Sequence, residues 1–129
     1  MTGLDTGFFF RLLSGAPRAV SVWHAVVSGE DEAVVSCVTI YELEKAALRG
    51  ALQRGVVDVL MDELPLLCRL VWLDNASRLR RSARLAHGNG LSMADASILT
   101  CLLDAGAETI YTTDSDFERY DGPVEVVVL

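Results

Sequence analysis

The sequence predicts an α/β fold with a largely parallel sheet covered by helices on both faces. Three observations carry that expectation. Short β-branched runs alternate with segments of helical periodicity along the chain, a pattern that implies parallel strands joined by helical crossovers. No repeat, low-complexity tract or Pro/Gly/Ser linker breaks the alternation, and the glycines fall singly between periodic segments. With 129 residues, 51% of them hydrophobic, the chain suits one domain with one core, spanning residues 1–129.

The elements follow in order. The start of the chain through Leu4 reads as a short strand, and Thr6 to Leu13 as a helix closed by Ser14 and Gly15. Pro17 stands near the start of the next helix, Arg18 to Ser28, where its missing N–H is not needed. Ala33 to Cys37 is a second strand. From Thr39 the pattern turns helical, with Ile40, Leu43, Ala47 and Leu48 on one side. Gly50 and Gly55 punctuate it before another helical run from Val56 to Leu67, and Leu70 to Leu73 fits a strand. Ala76 to His87 forms an arginine-rich helix ending in His87-Gly88-Asn89-Gly90, a C-cap followed by a turn. Leu91 to Leu103 makes the next helix, Thr109 to Thr112 a strand, Ser115 to Arg119 a helical turn, and Val124 to Val128 a final strand.

Composition excludes several classes. No apolar run approaches the roughly 18 residues of a membrane span, and the N-terminus lacks the pattern of a secretory signal, so a cytoplasmic protein without a membrane partner is expected. Cys37, Cys68 and Cys101 are odd in number, far apart and flanked by apolar residues, which favours buried thiols over disulfides or a zinc knuckle. A net charge of −7 argues against a broadly basic nucleic-acid surface, so any such contact must be local.

The acids of interest sit at strand ends and helix starts. Asp5 follows the first strand, Glu42 lies within a turn of the second, Asp95 is in the first turn of its helix, and Asp114 and Asp116 follow the strand Thr109 to Thr112. Loops after the carboxyl ends of parallel strands gather on one edge of a sheet, where such folds put their sites. Taken singly, each acid has a plain explanation. Thr39-Ile40-Tyr41-Glu42 and Ser92-Met93-Ala94-Asp95 fit the capping box or its Asp variant, and Asp5 and Asp114 suit N-caps. Capping, however, does not require acids in so many successive loops on one edge. A divalent-metal site does. Mg²⁺ prefers oxygen ligands and needs neither His nor Cys, and it offsets the repulsion among clustered carboxylates while lowering the pKa of a bound water. Such a cluster suits hydrolysis of a phosphodiester.

Four segments, Leu4-Asp5-Thr6, Thr39-Ile40-Tyr41-Glu42-Leu43, Ser92-Met93-Ala94-Asp95-Ala96-Ser97-Ile98 and Thr112-Thr113-Asp114-Ser115-Asp116-Phe117, together resemble a PIN domain over the whole chain. In size and layout the sequence is similar to the VapC-type toxins of toxin-antitoxin systems. The resemblance implies a three-layer α/β/α fold with a central, mainly parallel sheet, and Mg²⁺- or Mn²⁺-dependent endoribonuclease activity. It also implies a homodimer and a cognate antitoxin that blocks the site. By position, Asp5, Glu42 and Asp95 match the core acids and Asp114 the fourth. Asp116 is included as a fifth, the family varying between the last two positions. Thr6 and Thr112 match polar residues that support the acids.

Arg78, Arg80, Arg81 and Arg84 make a basic stripe on one helix, open to phosphate contact with RNA or to pairing with acids such as Asp74. Phe8, Phe9, Phe10, Trp23 and Tyr41 divide between core and a groove for an antitoxin. His24 and His87 are solitary and form no ligand spacing. A phospho-acceptor receiver domain fails on its late-strand lysine, because the single lysine, Lys45, lies in a helix of the first half. A housekeeping RNA-processing nuclease of the same fold, and a scaffold that binds without cutting, are the other readings.

Overall fold

Strands and helices alternate as β1 (Thr2–Leu4), α1 (Thr6–Leu13), α2 (Pro17–Val27), β2 (Ala33–Ser36), α3 (Cys37–Leu48), α4 (Arg54–Leu67), β3 (Arg69–Val71), α5 (Ala76–Asn89), α6 (Met93–Asp104) and β4 (Thr109–Thr112). A 3₁₀ turn (Ser115–Arg119) and β5 (Glu125–Val128) complete the chain. The structure, a computed structural model, describes residues 1–129.

Five strands form one sheet in the order β3-β2-β1-β4-β5, with every pairing parallel. The chain lays β2 and β3 on one side of β1, then crosses to build β4 and β5 on the other. Strand order thus reverses between β1 and β4, and a crevice opens beyond the carboxyl ends of strands at such a point. Asp5 follows β1 and Asp114 follows β4, so both acids border that crevice.

The two faces of the sheet carry separate cores, as the two-residue period of a strand requires. Val35 and Leu4 point to one face, where Phe8, Phe9, Ala19, Leu43, Leu60 and Leu64 of α1 to α4 cover them. Val34, Val71 and Ile110 point to the other, against Ile98, Leu99 and Leu102 of α6 and Phe117 of the 3₁₀ turn. Every residue of α6 from Ala96 to Leu102 is buried, and α5 closes over its outer side, with the Ser82 hydroxyl donating to Thr100 at 2.9 Å. No helix is long and apolar enough to cross a membrane.

Several boundaries differ from the sequence expectation. Cys37 opens α3 instead of ending a strand, because the Ser36 hydroxyl accepts the Val38 N–H at 3.1 Å and takes the N-cap position. Thr39 is therefore inside the helix and caps nothing. The helix after Gly50 begins at Arg54 and runs through Gly55, while α2 already starts at Pro17. The third strand is Arg69–Val71, where its register with β2 ends at Ser36, and α5 continues through Gly88 to Asn89. Only Gly90 takes the left-handed conformation, φ 64°, that closes α5. Cys68 and Cys101 are buried, Cys37 is half-buried, and all three are free thiols.

Candidate metal centre

Asp5 leaves β1 and at once caps α1: its Oδ1 accepts the Phe8 N–H at 2.9 Å, and its Oδ2 accepts the Thr112 hydroxyl at 2.5 Å. It is only 4% exposed. Burial pushes its carboxyl up to about 6, helped by the charges of Asp95 and Glu42 and opposed by hydrogen bonds from Thr112 and Phe8. Thr112, the last residue of β4, also accepts the Asp114 N–H at 2.9 Å, so one buried hydroxyl joins the ends of β1 and β4. The close approach of α1 depends on Gly7. A Cβ there would lie 1.9 Å from Thr113 Oγ1 and 3.0 Å from Thr113 Cβ.

Glu42 reaches the same edge from α3. The Thr6 hydroxyl donates to its Oε1 at 2.5 Å, and Thr39 Oγ1 lies 3.1 Å from Thr6 Oγ1. Thr6 has a single hydroxyl proton, and the carboxylate takes it, so Thr39 is the donor of the second bond. A relay from Thr39 through Thr6 to Glu42 results. The sequence showed Thr39 only as a candidate cap; its helical position, three residues before Glu42, is the signal that could have revealed the relay.

Asp95 sits in the first turn of α6, its N–H bonded to Ser92 Oγ at 3.1 Å. Burial pushes its carboxyl to about 6, with the charge of Asp114 next in effect and that of Glu42 adding to it, against the Ser92 hydroxyl. Asp114 caps the 3₁₀ turn by accepting the Asp116 N–H at 2.8 Å. Asp116 pairs with Arg119 at 3.0 Å, and the same guanidinium donates to the Gly90 carbonyl at 2.7 Å. Sequence reasoning missed Arg119, although its spacing of three from Asp116 on a helical turn pointed to it.

One carboxylate oxygen from each of Asp95, Asp114 and Asp116 lies within 4.8 Å of the other two. Asp5 and Glu42 stand outside that trio but feel the same field, since the charge of Asp95 acts on Asp5 and that of Glu42 on both Asp5 and Asp95. An all-oxygen donor set with unbalanced negative charge fits a hard divalent cation, which would relieve the repulsion that raises Asp95. The donor chemistry favours neither Mg²⁺ nor Mn²⁺.

The arginine stripe divides. Arg78 Nε binds Asp104 at 2.9 Å and its Nη1 donates to the Trp72 carbonyl at 2.8 Å and to Asp74 at 3.1 Å. Arg81 also pairs with Asp104, whereas Arg80 and Arg84 are exposed. Of the aromatic residues, Phe8 and Phe9 are core, Trp23 stacks edge-on against Phe9, and Phe10 and Tyr41 line an open groove beside Glu42.

A model of the PIN domain matches residues 4–123. Among solved structures, the chain is similar to a toxin-antitoxin complex from Klebsiella pneumoniae at 19% identity and a TM-score of 0.73, covering 98% of this chain and 96% of that one. It is similar also to VapBC2 from Rickettsia felis bound to a promoter DNA fragment, at 13% identity and a TM-score of 0.74, covering 99% and 98%. FitAcB from Neisseria gonorrhoeae follows at 23% identity and a TM-score of 0.67, covering 98% and 96%. These structural likenesses reflect a shared fold. No curated protein matches the sequence. The family match runs from the last residue of β1 almost to β5 and takes in all five acids; the chain belongs to the PIN-domain family of nucleases.

Proposed function

We propose that this protein is a Mg²⁺- or Mn²⁺-dependent endoribonuclease that acts as the toxin of a toxin-antitoxin pair, with Asp5, Glu42, Asp95, Asp114 and Asp116 as its catalytic and metal-holding set. The observation that carries the reading is the gathering of three carboxylates within 4.8 Å at the strand-order reversal of a PIN-family chain. A bound divalent cation would supply polarisation of the phosphodiester and a water of lowered pKa. The residues do the rest. Asp95, Asp114 and Asp116 offer the clustered oxygens, Thr6 and Thr112 fix the rotamers of Glu42 and Asp5, and Arg119 holds one oxygen of Asp116.

The toxin role is supported by end-to-end likeness to solved structures described as VapBC and FitAB complexes. An apolar hollow of about 390 Å³ between α1, α2 and α4, lined by Leu12, Trp23, Val56 and Val59, offers an antitoxin segment a seat away from the carboxylates. A homodimer is part of the same proposal. The test compares RNA cleavage by wild type and Asp95→Asn with Mg²⁺, with Mn²⁺ and with excess chelator, and reads oligomeric state by sedimentation. Metal-dependent cleavage that vanishes in the variant is expected. A folded, metal-binding wild type that cuts no RNA in a broad panel would overturn the enzyme reading.

A further inference from the structure

We propose that the groove along α3 is the track of a single-stranded RNA segment, which reaches the carboxylates past Glu42. The inference rests on the nuclease reading above and assigns its substrate path. The groove has a volume of about 760 Å³ and shares Thr6 and Glu42 with the carboxylate site, so anything lying in it passes beside Glu42. Lys45 on α3 and Arg49 at its C-cap line it, three and seven residues beyond Glu42. Both are exposed, and neither forms an ion pair, in contrast to Arg78 and Arg81, which Asp104 neutralises. In a chain of net charge −7, a groove lined by two cations against one acid, Glu42, is locally basic and suits a polyanion.

Aromatic faces line the same groove, Tyr41 one turn before Lys45 on α3 and Trp72 from the segment after β3. Tyr41 is 66% exposed and Trp72 54%, both on the groove, with Phe10 half-buried behind them. Exposed aromatic faces alternating with cations bind unpaired bases by stacking while the cations follow the phosphates. Duplex RNA is disfavoured, because its bases are stacked internally and it is recognised across a wide minor groove. An acidic peptide would satisfy Lys45 and Arg49 but would gain nothing from a path beside Glu42. The phosphate track therefore lies along α3, while α5 contributes only Arg80 and Arg84 at its exposed face.

The test measures binding of a short fluorescein-labelled single strand of mixed sequence, and of a hairpin duplex, in chelator so that nothing is cut. Variants are Tyr41→Ala, Trp72→Ala, Lys45→Ala with Arg49→Ala, and Arg80→Ala with Arg84→Ala, each checked for an unchanged thermal melt. Each aromatic variant is expected to lose about tenfold in single-strand affinity. The Lys45/Arg49 pair is expected to lower the slope of log affinity against log salt by about 1.4, which a merely structural role would not do. Wild-type binding by groove variants, with the loss falling on the Arg80/Arg84 pair, overturns the track while metal-dependent cleavage leaves the nuclease standing. Groove variants that bind RNA normally but sediment as smaller species would make the groove an interface between copies. A wild type that binds no strand and cuts none removes both readings.

Discussion

Replacing Asp5 by Asn is expected to stabilise the metal-free protein. Asp5 is 4% exposed, and burial together with the charges of Asp95 and Glu42 lifts its carboxyl from the ordinary 3.8 to about 6. Holding it ionised at neutral pH costs the fold about 3 kcal/mol, at about 1.36 kcal/mol for each pH unit of displacement. Asn removes that charge and still accepts the Phe8 N–H, since Asn and Asp cap helices about equally well. The Thr112 hydroxyl, which donates to the other carboxylate oxygen, would face the Asn NH2 instead and must turn to accept from it, at a cost of about 1 kcal/mol. The net gain is about 2 kcal/mol, or roughly 7 °C in Tm for a chain of this length. Thermal melts in chelator across a pH series read it directly. A raised carboxyl binds its proton more tightly when folded, so its ionisation penalty is absent below 3.8 and fully felt above about 6. The advantage of Asn must therefore shrink as pH falls through that window. Saturating Mg²⁺ should favour wild type, which gains about 2.7 kcal/mol at one hundred times Kd, while the variant gains less. A variant that melts below wild type in chelator at every pH would refute the argument.

Four further outcomes are expected. Thr6→Val removes the hydroxyl that orients Glu42 and leaves the buried Thr39 hydroxyl without its acceptor, so it should reduce cleavage by roughly 10- to 100-fold at a cost of about 1 kcal/mol in stability, read in a steady-state RNA assay and a thermal melt. Asp95→Asn should reduce it further still, beyond roughly 100-fold in the same assay, and should also weaken metal binding in calorimetry. Thr112→Val leaves the buried Asp5 carboxylate without its hydroxyl donor, costing about 1–3 kcal/mol in denaturant unfolding at neutral pH and less at acid pH. Gly7→Ala drives a methyl into Thr113, all three of whose side-chain atoms lie within 3.1 Å, so rotation of that side chain gives no relief. It should cost about 1–3 kcal/mol and displace the loop carrying Asp114, seen as parallel losses in Tm and metal affinity.

The alternation of strands and helices was legible because its two periods are local properties of the chain. Boundaries were less so. Ser36 competes with Thr39 for the cap of α3, and only the parallel register that ends β2 at Ser36 decides between them. The five acids were legible as a set from their positions after strands, but their grouping was not. Asp95, Asp114 and Asp116 meet because β4 and α6 come together across the crossover, a long-range fact without a local signature. The plain explanation of the acids also proved true, since Asp5 and Asp114 both cap helical turns. The groove of Tyr41, Lys45 and Trp72 stayed hidden because Trp72 arrives from the segment after β3, and nothing near Glu42 in sequence announces it.

That double duty of Asp5 and Asp114 bears on how such a protein can change over generations. An Asp codon becomes an Asn codon by a single base substitution, and Asn keeps the cap while discarding the charge. Harm to the reaction is thereby uncoupled from harm to the chain: a cell under pressure from an unwanted nuclease has a short route to a silent, folded descendant. Such a descendant would keep its docking surfaces and titrate its old partners, so a folded copy of this chain with Asn at either position is better expected to act as a decoy than to be cleared as waste.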